Sequence, residues 1–451
     1  MKKISLRETS KRALLSLFLI VATSSCFAQY LRTSYFMDNA SSRLQLNPAF
    51  QPKRGYANLP VIGSFQASSS SNAMGVNDVV DILNSEEDFW DNDKFFNQLK
   101  TDNKVNVNIN TDILSFGFYK GKGFWSANIG IRSDINASIP KTMMEYLRDV
   151  NNATSGLTKD YSIYNQKMNA TVYTEIGVGY SREIIKKLTL GAKVKMLLGI
   201  ANVNMDMQEL SIKENLTDAD IISHGTLSTS MAGVAVKTET GDDGREYVEK
   251  VDFDKAGVAG YGMGVDLGAT YQLLDNLSMS ASLIDLGFIS WSKSSTTTAT
   301  ANQRRTIEYK GYGTASDGDL LDMDYMGYAV GSPKSKTTSL ASTLVVGGEY
   351  SFFEKMLGIG VLSTTHFCEP ETISELTFSA NYRPKSWLNV ALSYSTMQNN
   401  RKTFGLGLRV GPVFVGTDYL FLGNGSETRN ANAYLGITLP LGRSRHASHN
   451  N

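Results

Sequence analysis

Thr403–Phe421 reads TFGLGLRVGPVFVGTDYLF and sets Phe404, Leu406, Leu408 and Val410 at every second position. Thr403, Gly405, Gly407 and Arg409 fall between them, and after Gly411-Pro412 the alternation resumes with Val413 and Val415. Period two marks a strand with one apolar and one polar face. One such strand suits any half-buried sheet. A chain written this way almost throughout raises a further question: which solvent the apolar face meets.

In YGMGVDLGATYQL, Tyr261, Met263, Val265, Leu267, Ala269, Tyr271 and Leu273 share one face. Val172–Tyr180, Leu188–Met196, Leu340–Tyr350, Leu376–Tyr382, Leu388–Tyr394 and Ala433–Leu441 repeat the scheme. Many of these runs reach about ten residues, the length a tilted strand needs to cross a bilayer. The pattern places strands near 56–68, 104–119, 124–138, 167–183, 188–207, 261–274, 277–291, 338–352, 357–368, 374–384, 387–398, 402–411, 413–421 and 431–441. The count is even, so both ends emerge on one side. Connections 69–103, 139–166, 208–260 and 292–337 are long, whereas the alternate ones, such as Asp275-Asn276, are short. That asymmetry belongs to membrane barrels.

Aromatic residues flank the short turns (Tyr119, Phe124, Trp125, Tyr180, Tyr271, Tyr350, Tyr382, Trp387) and recur near the opposite ends (Phe288, Trp291, Tyr394, Tyr419, Phe421). Two interfacial belts are expected of a barrel, although aromatics also favour strands generally. The reading is all-β: a transmembrane antiparallel β-barrel of about 14 strands over residues 56–442. Its apolar face meets lipid, and its glycine-rich, polar face lines an interior. The alternative is a secreted two-sheet protein.

The front of the chain supports export. Lys2, Lys3, Arg7, Lys11 and Arg12 precede the apolar run 13–22, and small residues lead to Cys26-Phe27-Ala28. This is the layout of a signal peptide over residues 1–28; lipidation at Cys26 is the alternative, with Thr23-Ser24-Ser25 a poor match. Without it, 39 Lys and Arg face 43 Asp and Glu, a net of −4. No basic footprint for nucleic acid results. Cys368 is the one remaining cysteine, so no internal disulfide forms.

The long connections carry their own patterns. Asp78–Leu83 and Phe89–Leu99 read as helical, with Phe89, Trp90, Phe95, Phe96 and Leu99 as apolar contacts. Lys141–Val150 is a second helix, with Met143, Met144 and Leu147 on one side. Such helices cap the mouth and meet a greasy ligand, or they pack on one another. Residues 208–260 and 292–337, with runs such as Gly241-Asp242-Asp243-Gly244, read as solvated, partly mobile surface.

Residues 29–55 contain no good strand, and fourteen strands enclose a lumen too wide for side chains alone to fill. A plug is therefore expected there. Arg43-Leu44-Gln45-Leu46-Asn47-Pro48-Ala49-Phe50 contains the Asn-Pro-Ala run of the N-terminal hatch in long-chain fatty-acid transporters of the FadL type. The whole mature chain resembles an uncharacterised family of Gram-negative outer-membrane proteins in that superfamily. Such proteins have comparable LRTSYFMD, RLQLNPAFQP and GLGLRVGPVFVGTDYLF segments. A type IX secretion shuttle barrel belongs to the same broad group.

The resemblance implies a cell outer membrane location and a ligand-gating hatch containing Asn47, Pro48 and Ala49. It implies uptake or passage of a small hydrophobic molecule. Its partners would be outer-membrane lipid, the barrel-insertion machinery and a hydrophobic small-molecule ligand. A non-transport barrel that binds an exported protein partner in secretion or envelope assembly is the alternative. One departure is the polar tail 443–451, where such barrels commonly end on an aromatic residue.

No enzyme chemistry, cofactor or metal is expected. The four histidines are His224, His366, His446 and His449. His366 and Cys368 share a strand face, but two ligands are too few for a site. For Ser223-His224 no acidic orienter can be assigned from the sequence, and neighbours in sequence seldom adopt the required geometry. The spacing of Asp317, Asp319, Asp322 and Asp324 is not that of a calcium loop.

Overall fold

The computed structural model describes residues 32–442 apart from 39, 62, 74–89, 91, 152–158, 215–217, 241–245, 254–256, 309–326, 370–371, 398–401 and 420–429. The predicted signal peptide, the helix at 78–83, Phe89, Phe421, the aspartates at 317–324 and the polar tail lie outside them.

The strands are β1 (Gly55–Asn58), β2 (Phe65–Ser71), β3 (Asp102–Lys120), β4 (Gly123–Pro140), β5 (Asp160–Ile185), β6 (Leu188–Glu214) and β7 (Asp218–Met231). They continue with β8 (Val234–Thr240), β9 (Glu246–Phe253), β10 (Gly260–Leu274), β11 (Leu277–Trp291), β12 (Thr296–Glu308), β13 (Ala329–Val330) and β14 (Lys336–Ser339). The last are β15 (Ser342–Phe352), β16 (Leu357–Phe367), β17 (Ile373–Lys385), β18 (Leu388–Met397), β19 (Lys402–Val410), β20 (Val413–Thr417) and β21 (Asn430–Leu441). Among the described residues three α-helices accompany them: α1 (Arg43–Leu46), α2 (Asp93–Gln98) and α3 (Lys141–Asn151).

Among the described residues every strand pairing is antiparallel, and the sheet closes where β1 and β2 pair with β21 on one side and β3 on the other. Counting β1 with β2, and β14 with β15, as single staves, and setting aside β7, β8, β9, β12 and β13, which pair beyond the barrel wall, gives a closed barrel of fourteen. Among the described residues, no helix is long and apolar enough to cross a membrane.

The opening stretch now has its answer. Phe404, Leu406, Leu408, Val410, Val413 and Val415 point outward and are exposed, while Gly405 and Gly407 face the lumen. Val194 is 63% exposed and Met263 60%, and dozens of other large apolar side chains share the outer surface. Each would lose about 1.5–3 kcal/mol of burial free energy if it met water. Hydrocarbon around the barrel removes that cost, so the protein is a transmembrane β-barrel.

Three features differ from the sequence reading. The first stave is not continuous from 56 to 68, because the strand is interrupted between Asn58 and Phe65. Pro60 lacks a ladder donor and Val61 takes a left-handed backbone, φ 67°. The interrupted stretch keeps hydrogen bonds to both neighbours, from Leu59 N–H to Ile437 O and from Val61 N–H to Ile113 O.

Residues 208–260 and 292–337 are not only loop. β6 changes partner along its length, pairing with β10 from Leu188 to Gly199 and with β7 from Ala201 onward. β7 in turn pairs with β12, where Thr-rich 296–300 supplies β-branched residues. The wall thus continues past the membrane as a sheet on the long-loop side. Finally, Phe124, Trp291 and Tyr419, expected in aromatic belts, are buried. Trp291 Nε1–H donates to Thr338 Oγ1 at 2.8 Å, and Tyr419 pairs with Arg32, so their polar ends find partners within the protein.

Candidate functional site

Residues 32–54 run through the lumen as turns around the short helix α1, and most of their side chains are buried. The wall makes room with small residues. A Cβ at Gly347 or Gly360 would press on Phe36, one at Gly405 on Thr33, and one at Gly191 or Gly268 on the Asn47-Pro48-Ala49 backbone. The plug lies against these inward glycines because they carry no side chain to hold it away.

Polar contacts fix the segment along its length. At its start, buried Arg32 pairs with Glu375, and Thr33 N–H donates to Asp418 Oδ1 at 2.7 Å. Tyr35 Oη and Ser280 Oγ are 2.9 Å apart. Asn47 Nδ2 donates to the Ala269 and Ala281 carbonyls, both at 3.3 Å, which sit opposite each other on β10 and β11. Its Oδ1 accepts from Ala49 N–H at 2.9 Å. The Asn-Pro-Ala run is therefore a side-chain-closed turn docked on two neighbouring strands. Pro48, without an N–H, leaves no donor unmade there.

A second polar group lies towards the short-turn rim. Asp38 meets Arg43 at 3.2 Å, Arg383 at 3.6 Å and Lys53 at 3.7 Å. Burial pushes the Asp38 carboxyl up, but Arg43, Arg383 and Lys53 outweigh it and hold the group below its ordinary value.

On the long-loop side of α1 is a chamber of about 510 Å³. Gln45 and Leu46 of the plug form part of its lining. Gln45 Nε2 also donates to Asp112 Oδ2 at 2.9 Å, tying the plug to β3. Tyr173, Leu340 and Phe367 give the chamber an apolar side, and amides and charged groups from β3 to β6 give it a polar one.

The charges there are mutually occupied. Arg132 meets Asp112 at 2.7 Å and Glu175 at 3.4 Å. Lys193 meets Glu175 at 2.5 Å, and Lys195 meets Asp266 and Asp285 at 2.7 Å each. Asp285 holds a left-handed backbone, φ 60°, and its N–H donates to Asp266 Oδ1 at 2.8 Å. Non-glycine residues reach that region at a cost of about 1–3 kcal/mol.

The apolar loop residues point elsewhere. Phe95, Phe96 and Met144 pack together with Trp90, Leu99 and Ala73. Met143 joins Tyr146, Tyr161, Ile163 and Met207 in a cluster against the extended sheet. None of these residues lines the chamber. His366, which does, has Nδ1 2.7 Å from Thr343 Oγ1 and Nε2 3.4 Å from Asp134 Oδ2. Ser223 is buried and His224 meets Glu209 at 3.4 Å, so the two neighbours serve separate surroundings.

No curated protein matches this chain. Among solved structures it is similar to the TodX deltaS2S3 mutant monoaromatic hydrocarbon channel, with 10% identity, TM-score 0.42, and 92% of this chain and 94% of that one covered. The Pseudomonas putida toluene transporter TodX follows at 9% identity and TM-score 0.38, covering 92% of this chain and 93% of that one. A Pseudomonas aeruginosa FadL homologue gives 10% identity and TM-score 0.36, with 92% of both chains covered. Residues 48–418 match a family model, and the chain belongs to that family, the Family of unknown function (DUF5723).

Proposed function

We propose that this protein is an outer-membrane barrel that admits a small, partly hydrophobic molecule into its lumen and releases it past a hatch. The short-turn rim faces the periplasm and the long-loop rim the exterior. One observation carries the reading: a chamber of about 510 Å³ whose lining includes both plug and wall residues. That volume suits a small ligand. Leu46, Tyr173, Leu340 and Phe367 would receive its apolar part.

The Asn47-Pro48-Ala49 turn is the hatch's hold on β10 and β11 in this proposal, and its release opens the periplasmic path. Phe95, Phe96, Met143 and Met144 serve instead to stiffen the exterior elements around the mouth. The chemistry required is binding and movement, with no covalent step. Mass spectrometry of small molecules extracted from protein purified in detergents of different head groups tests the reading. A copurifying amphiphile, weakened or lost in a Leu340→Trp variant that places an indole in the apolar side of the chamber, is expected. A consistently empty barrel sinks it.

A second reading, binding of an exported protein, draws on the sheet of β5, β6, β7 and β12 beyond the membrane. Crosslinking on intact cells would then capture one discrete protein on that sheet.

A further inference from the structure

Four asparagines lie in one row across four adjacent strands. Asn106 of β3 pairs in register with Asn136 of β4, Asn136 with Asn169 of β5, and Asn169 with Asn204 of β6. The row continues to Ser70 on β2 and Ser228 on β7. A second row beside it reads Asn108, Asp134 and Thr171, and a third Asn110, Arg132 and Tyr173. Asn136, Asn169 and Asn204 all line the chamber.

We propose that this amide row recognises an uncharged, hydroxyl-rich group, a pyranose, and so names the polar part of the passing molecule. The inference rests on the passage reading above. A carboxamide offers two donors and an acceptor, which is what a hydroxyl, itself donor and acceptor, pairs with. Strand spacing sets successive amides about 4.8 Å apart, comparable to the distance between hydroxyls on opposite sides of a sugar ring. Asn169 and Asn204 are half-buried and have no side-chain hydrogen bond among the described residues, so their amides are available. Gln66 Nε2, buried and unpartnered, adds a donor from β2 to the same lining. The Tyr173 ring supplies an apolar face for sugar C–H groups.

Charge selects against ionic ligands. Arg132, Lys193 and Lys195 each already meet one or more carboxylates within 3.5 Å. An anionic or cationic head would have to displace a buried partner, leaving it uncompensated. A neutral polyol displaces none.

The test uses the full chain in phosphatidylcholine nanodiscs, with empty nanodiscs as the blank. Tritiated octyl glucoside, octanoate and octyltrimethylammonium are titrated below their micellar concentrations by scintillation proximity. The glucoside is expected to bind roughly tenfold tighter than either ion, the worth of about one net hydrogen bond. Asn136→Leu/Asn169→Leu should remove that preference by weakening glucoside binding. The milder Asn204→Ser, with folding checked by heat-modified gel mobility, should weaken the glucoside alone.

Competition by free maltose would assign the source as a saccharide itself, and its absence a sugar-headed lipid; both outcomes support the proposal. Equal or tighter binding of octanoate overturns it while sparing the passage reading. Binding of none of the three, unchanged in Leu340→Trp, overturns both.

Discussion

The lumen has two walls of opposite character. From β15 to β19 the inward positions hold Gly347, Gly360, Gly405 and Gly407, and the plug lies directly against them. From β3 to β6, on the long-loop side of the plug's contact with Gly191, inward positions carry asparagine, aspartate, arginine and lysine, and a chamber remains between wall and plug. Both walls alternate polar and apolar residues in the same way, so hydropathy alone does not separate them. Side-chain volume does. Glycine lets a backbone approach to contact, while a row of amides holds space open and lines it with hydrogen-bonding groups.

The sharpest way to break this contrast is to remove the charge that holds the plug's first residues. Arg32 is 1% exposed and pairs with Glu375, so Glu375→Ala leaves a buried guanidinium short of its carboxylate. Breaking such a pair costs about 3–5 kcal/mol, which predicts roughly hundredfold or faster hydrogen exchange in residues 32–37. Exchange measured by mass spectrometry at unchanged rates would mean that Arg32 does not anchor the plug.

Crowding the point where the plug also touches β6, at Gly191, comes next. Gly191→Val places methyl groups into the Pro48 backbone, which has no flexible end to yield. Overpacking costs about 1–3 kcal/mol, and the displaced plug should raise single-channel conductance in planar bilayers. Gly348→Val is the paired control, because a Cβ there meets only Ser278 O at 3.7 Å. Equal conductance in the two variants would refute the role given to inward glycine.

Much of this was legible before any coordinates. The alternation in Thr403–Phe421 fixed which residues face out, and Gly405 and Gly407 were already on the inner face. Residues 29–55 were legible as a strandless run before the first stave, whereas the gating role of Asn47-Pro48-Ala49 belongs to the proposal. The asparagine row was visible only in pieces, such as the alternate asparagines of Val105–Asn110. Joining them needs the register of four strands, and bulges at Asp112/Leu114, Val172/Tyr173 and Met207/Glu209 each shift it by a residue. Partner-switching by β6 was hidden for a related reason: one run of alternation does not record how many strands it serves. Pro60 carries a signal of the break in the first stave that the reading of 56–68 as one strand did not use.

A smaller effect separates the walls from the other side. Asn136→Ala removes the acceptor that Asn106 Nδ2 uses, a loss of about 1 kcal/mol in thermal stability. Because the side-chain hydrogen bonds of Asn136 among the described residues go to Asn106 and Asp134 and not to the plug, exchange in residues 32–54 should stay as in the native protein. Faster exchange there would show that the two walls act as one.

The smallest expected effect concerns acid. The Asp38 carboxyl is held below its ordinary value by Arg43, Arg383 and Lys53 against the upward push of burial. Its contribution to docking is therefore complete above the ordinary carboxylate value of about 3.9 and is lost as pH falls through the depressed one. With 38% of the side chain exposed, solvent screening keeps that contribution under about 1 kcal/mol, and added salt reduces it further. A spin label on Arg54→Cys in a Cys368→Ser background should report constant plug mobility from neutral pH to about 4, then loosening. Asp38→Asn should be slightly looser at neutral pH and show a flatter acid response. An identical acid response in that variant would move the cause to another carboxylate, with Glu349, bound to Arg383 at 2.7 Å, the next to replace.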